Sequence, residues 1–163
     1  MTGFAHPEEM IRPGDLSSQA SEILASHSIM SIATVRPDGW PQSTIVGYAN
    51  DGLTIYFLVM RSSQKLANIE ADNRISLTVG DEPSDISQAT AVYCGAHAIE
   101  VADEVDREFG WRLLSQRHPN LENFALPDRG QAAMLRATCK YVSVVDYSKG
   151  LGHVDHFSWT PSE

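Results

Sequence analysis

The chain has no run of apolar residues approaching the ~20 that a transmembrane helix needs, so nothing in it reads as a bilayer span. Its first fifteen residues, MTGFAHPEEMIRPGD, lack the basic-then-apolar order of a secretory leader, and the expected location is the cytoplasm. Basic residues are scarce, 12 Lys and Arg against 21 Asp and Glu, with a net charge of −9. That deficit argues against a nucleic-acid backbone or an anionic membrane surface as the main partner. Cysteine is nearly absent: Cys94 and Cys139 stand far apart without a C-x-x-C, which reads as two small core hydrophobes. The G-L-G near the C-terminus, Gly150 to Gly152, lacks the third glycine and the following helix of a dinucleotide fingerprint.

What is present is a chain of 163 residues, 42% apolar, enough for a single globular domain with its own core. Residues 1–14, with Pro7, Pro13 and Gly14, read as an extended arm. Asp15 to His27 reads as a helix capped by Asp15 or Ser17, its apolar stripe formed by Leu16, Ala20, Ile23 and Leu24. His27 would meet that helix's dipole at its C-terminal end.

From Ile29 to Gly80 the pattern is strand, turn, strand, turn, strand, polar loop, short helix, strand. Asp38-Gly39 and Asn50-Asp51-Gly52 supply turns, because Gly accepts positive φ without steric cost. The third strand, Leu53 to Met60, is apolar on nearly every residue and is expected to be buried on both faces. It leads into Arg61-Ser62-Ser63-Gln64-Lys65, where a Ser can cap the next helix and leave backbone N–H groups for an anion. Residues 61–80 hold three basic against two acidic residues, an exception in an acidic chain. A phosphate monoester is the natural guest of such a cluster.

A long strand is expected over Gln88 to Val101, with Gly95 marking a bulge or a sharp bend and His97 pointing outwards or into an interface. Asp103 to Arg117 reads as a helix with acidic first and basic last turns, its buried face formed by Val105, Phe109, Leu113 and Leu114, and Pro119 ends it. Gly130 to Ala137 reads as a short helix, and Lys140 to Tyr147 as the last strand. His153 and His156 form an H-x-x-H that strand or turn geometry would point to opposite faces, so no metal site is assigned.

The succession G-x-P-Q-S-T-I-V (Gly39 to Val46), D-G-L-T-I-Y-F-L-V-M-R-S-S-Q-K (Asp51 to Lys65) and N-x-x-A-D-N-R-I-S-L-T-V resembles the pyridoxamine 5'-phosphate oxidase-related proteins. The resemblance implies a mainly β protein with flanking helices (α+β), a six-stranded antiparallel split β-barrel of the FMN-binding type. It implies a homodimer with FMN at the subunit interface, and an FMN-dependent oxidoreductase acting on a small-molecule substrate or reduced nicotinamide. Position by position, the phosphate falls to Arg61, Ser63, Gln64 and Lys65. Ring and ribityl contacts fall to Thr44, Ile45, Val46, Leu58, Val59 and Thr90. The tail D-Y-x-x-G-x-G-H (Asp146 to His153) resembles tails that reach a partner's flavin, which makes His153 the candidate proton-transferring group. The family's founding enzyme has a basic residue in place of Thr44, an Arg in place of Gln64 and a Gln in place of Thr90, and its R-L-x-P substrate segment has no counterpart here. The alternatives are a non-catalytic flavin-binding or stress protein, or a haem- or deazaflavin-binding member of the same fold.

Overall fold

In the computed structural model, residues 13–161 are described. Helix α1 (Pro13–Ala25) is followed by β1 (Ile29–Val35), β2 (Pro41–Gly47), β3 (Ala49–Asp51) and β4 (Thr54–Met60). Then come α2 (Gln64–Ala71), β5 (Arg74–Gly80), β6 (Thr90–Glu100), α3 (Glu104–Arg117), β7 (Ala132–Asp146) and β8 (Val154–Ser158). All strands pair antiparallel in one sheet of order β2-β1-β5-β6-β7-β4-β3, with β8 added to β7. The sheet curls into a split barrel. The six expected strands form its body, and the short β3 and β8 supplement them.

Both turn glycines adopt positive φ, Gly39 at 85° and Gly52 at 58°. The bulge expected at Gly95 is present, the β6–β7 register shifting between Gly95 and Ala96. Inside the barrel Ile32, Ile55, Phe57, Leu77, Val92, Leu135 and Val144 are buried, with Cys94 and Cys139 among them as free thiols. Leu16, Ala20, Ile23 and Leu24 of α1 pack onto this core as one stripe. A second, smaller cluster joins Tyr56 and Leu58 on the other face of β4 to Leu114, Phe109 and Leu113 of α3.

Three local readings are corrected. Helix α1 starts at Pro13, so Asp15 lies in its first turn and does not cap it, and Pro13 and Gly14 belong to a helix and not to an arm. Residues 1–12 of that expected arm lie outside the described residues. Gly130 to Ala137 is not a helix: from Ala132 it is the first half of β7, paired with β4 on one side and β6 on the other. Ala-Met-Leu-Arg-Ala favours helix intrinsically by a few tenths of a kcal/mol per residue, and two flanking ladders with complete burial outweigh that. In α3, Val105 is 76% exposed and Arg107 and Gly110 are buried in its place. Gly110 is needed there because a Cβ would lie 2.6 Å from Cδ1 of Tyr56.

Candidate functional site

At the end of β4 the chain makes one turn and enters α2. Ser63 is the N-cap, with extended backbone and a hydroxyl that accepts a hydrogen bond from the Leu66 amide at 3.2 Å. The earlier amides of the first turn, those of Gln64 and Lys65, have no intrahelical partner and face outwards as donors. Lys65 is half-buried, and burial lowers its pKa from the ordinary value of 10.5. It forms no ion pair among the described residues. A desolvated ammonium beside a helix N-terminus is a standing invitation to an anion.

Arg61 behaves differently. Its guanidinium grips the Glu100 carboxylate with both terminal nitrogens, Nη1 at 2.9 Å from Oε2, and its Nε donates to the Arg129 carbonyl. The hydrogen bonds from Arg61 hold the Glu100 carboxyl below its usual range. Arg61 therefore ties the loop to the end of β6 and to the segment before β7, and its fork is already filled.

Sequence reasoning missed the polar network behind the loop. Asn68 is fully buried and its amide donates to Thr34 Oγ1 and Gln42 Oε1, both at 2.9 Å. Gln64 in turn donates to Asn68 Oδ1 at 2.9 Å. The start of α2 is thus fastened to β1 and to β2, which carries Thr44, Ile45 and Val46 of the ring contacts implied by the resemblance. On β2, Ile45 is 71% exposed, whereas Val46 packs against the core. Thr44 Oγ1 is buried without a hydrogen-bond partner among the described residues. On β4, Val59 points into the core and Leu58 lies under α3.

Thr90 and His153 are elsewhere. Met60 at the loop end of β4 is paired with Ala132, the first residue of β7, whereas Thr90 is paired with Asp146, the last. Fifteen residues of β7 separate these levels, roughly 45 Å of extended backbone at ~3.3 Å per residue. His153 belongs to the Thr90 end: its carbonyl accepts from the Asp146 amide at 3.2 Å, and its Nε2 meets Asp155 Oδ2 at 2.9 Å. Burial raises the Asp155 pKa, but the hydrogen bonds from His153 and Lys149 outweigh it and the net shift is downwards. His156 goes to Ser143 Oγ at 2.7 Å, so the two histidines serve different partners. Among the described residues no cluster of metal-ligating side chains is assembled. Within the chain, then, Arg61, Ser63, Gln64, Lys65, Thr44, Ile45, Val46, Leu58 and Val59 share one region, and Thr90 and His153 occupy another.

The family model for pyridoxamine 5'-phosphate oxidase matches residues 16–146. The chain belongs to this family. Solved structures with the same fold include a haem-binding protein from Mycobacterium smegmatis, 19% identical over 91% of this chain, with a TM-score of 0.76. This chain spans 59% of that protein's length. An FAD-binding protein from Mesorhizobium loti is 18% identical, with 78% of this chain and 91% of that one covered and a TM-score of 0.63. A Clostridium acetobutylicum protein related to general stress protein 26 of B. subtilis is 16% identical, with coverages of 88% and 94% and a TM-score of 0.68. No curated protein matches the sequence. At these identities the solved structures establish the split barrel. No described helix is long and apolar enough to cross a membrane.

Proposed function

We propose that this pyridoxamine 5'-phosphate oxidase-family chain binds FMN and is an FMN-dependent oxidoreductase acting on a small organic substrate. The observation that carries the reading is the half-buried, unpaired Lys65 at the Ser63-capped start of α2. A doubly charged phosphate would be met there by the Lys65 ammonium, the Gln64 and Lys65 amides and the Ser63 hydroxyl, which still has its proton to donate. The unpartnered Thr44 Oγ1 on β2 fits the same group, since a flavin brings several polar atoms for such a hydroxyl to bond. Arg61 takes the role of a brace: by gripping Glu100 it fixes the loop and leaves the direct charge contact to Lys65.

FMN, when bound, supplies hydride or single-electron transfer through its isoalloxazine ring. The chain's own residues hold the phosphate, present the β2 and β4 main chain to the ring edge, and exclude water with Leu58 and Val46. Thr90 and His153, at the far end of β7, reach a flavin only from a second copy. That separation supports a homodimer with the cofactor between subunits. There His153, oriented by Asp155, would exchange a proton with the substrate, so a loss of turnover with unchanged FMN binding is expected for His153→Gln.

An absorption spectrum recorded during titration with FMN tests the reading. Uptake with maxima near ~375 and ~450 nm that bleach on anaerobic reduction is expected of a redox-active flavoprotein. A Soret band on the purified protein, or no uptake of FMN, overturns it.

A further inference from the structure

A cleft of about 580 Å³ lies between the C-terminal end of α3 and the β2–β4 side of the barrel. Of its lining residues the resemblance assigns only Leu58. Its walls are largely apolar, from Leu58, Leu114, Pro119 and Leu121, and its volume falls in the usual range of small-molecule sites, roughly 300–1,000 Å³. Two basic side chains border it, Arg117 and His118, and their hydrogen bonds decide what it can hold.

Arg117 is spent. Nη1 donates to the carbonyls of Leu24 and His27 at 3.2 and 2.8 Å, and Nη2 donates to Asn50 Oδ1 at 2.9 Å. Its charge serves the C-terminus of α1, whose orphan carbonyls it caps. Among the described residues the lining holds no other Arg and no Lys.

His118 has one nitrogen committed and one available. Nε2 stands 3.0 Å from the Tyr48 carbonyl oxygen, which can only accept, so Nε2 carries the proton. The neutral ring then has an acceptor lone pair at Nδ1, and Nδ1 has no partner among the described residues. The ring is held in place: the His118 amide donates to Leu114 O and its carbonyl accepts from Leu121 N, both at 2.8 Å. It also rests on Gly47, where a Cβ would come within 3.1 Å of Cε1. Gly47 lacks a side chain because this imidazole occupies its space.

We infer that this cleft is the substrate pocket and that it takes an uncharged, flat, mainly apolar molecule carrying one hydroxyl or N–H that donates to His118 Nδ1. The inference rests on the flavin reading in one respect: Gly47 and Leu58 belong to the two strands that would carry the isoalloxazine ring. It departs from the phosphorylated amine that the family's name suggests, because the guanidinium in the cleft wall directs its terminal nitrogens to Leu24, His27 and Asn50, none of which lines the cleft.

Equilibrium dialysis of the full chain against naphthol, methoxynaphthalene and naphthyl phosphate, with and without added FMN, tests the inference. Naphthol and methoxynaphthalene are expected to bind and naphthyl phosphate to be excluded. His118→Phe should weaken naphthol roughly tenfold, the size of one lost hydrogen bond, and leave methoxynaphthalene unchanged. Leu121→Trp, which fills the cleft and spares His118, should abolish binding of both neutral probes. Should naphthyl phosphate bind as tightly as naphthol, or His118→Phe leave naphthol affinity unaltered with circular dichroism showing a native fold, the inference fails. FMN uptake is read from the visible spectrum of the same samples. Probe binding that persists without FMN uptake would sink the flavin reading and support the pocket.

Discussion

The two ends of β7 carry opposite kinds of polar chemistry. At the Ala132 end, α2 offers an unpaired cation, a capped helix start and free amides, while the acid Glu100 is tied to Arg61. At the Asp146 end, carboxylates dominate. Asp146 accepts from Gln19 and Ser148, Asp155 accepts from His153 and Lys149, and both are held below the usual carboxylate range. One end presents donors and a cation, and the other holds a histidine against a carboxylate. On the proposed reading, a flavin that meets both ends does so between two chains.

Complementation is the strongest way to break that comparison. Lys65→Glu and Thr90→Trp should each abolish FMN uptake alone, since every interface of a symmetric dimer would carry the defect. When equal amounts are unfolded and refolded together, roughly a quarter of the sites should return, because half the dimers are mixed and each mixed dimer has one intact interface. No recovery, with a monomer in sedimentation, would show that both ends act independently.

A smaller effect sharpens the cation end. Lys65→Ala should weaken FMN by on the order of 1–3 kcal/mol, the usual cost of a charge-assisted contact, as read by fluorescence titration. The pH dependence has a definite sign. Burial lowers the Lys65 pKa below 10.5, so across the window beneath 10.5 the unfolded chain binds more protons and the stability of the ligand-free protein rises with pH. FMN affinity should fall over that same window as the ammonium is lost. An affinity flat with pH there would remove Lys65 from the phosphate site.

The Arg61–Glu100 pair should matter least. Both side chains are about one-third exposed, so Glu100→Gln is expected to cost ~1 kcal/mol or less in denaturant unfolding and to change FMN affinity by less than Lys65→Ala does. Arg61 depresses the Glu100 pKa below 4.5, so the pair's contribution is present above 4.5 and is lost as pH falls through the lowered value. Wild type and Glu100→Gln should therefore converge in stability in acid. If Glu100→Gln instead raises FMN affinity strongly, Arg61 was being withheld from the phosphate and is not a brace.

Local chemistry made much of this legible from residues alone. The turns at Gly39 and Gly52, the Ser63 cap, the apolar stripe of α1 and the bulge at Gly95 each follow from short-range rules, and all are present. What escaped was chemistry joining distant positions. Glu100 claims Arg61 from 39 residues away, and Asn68 joins α2 to Thr34 and Gln42 across two strands. No window of sequence contains both partners. The first half of β7 escaped for another reason, since its residues favour helix and only the ladders on either side make it a strand. His118 looked like the residue before a helix-stopping Pro119, and its value came from Tyr48 and Gly47 folding against it.

Arg117 has a consequence for how this molecule breathes. A single guanidinium rooted in α3 holds the last carbonyls of α1 and the side chain of Asn50 in β3. None of these three elements can swing away without stranding the same half-buried charge, so they should open as one cooperative unit in hydrogen exchange, their amides sharing a common opening free energy. The rim of the cleft and the first helix of the chain are mechanically one part.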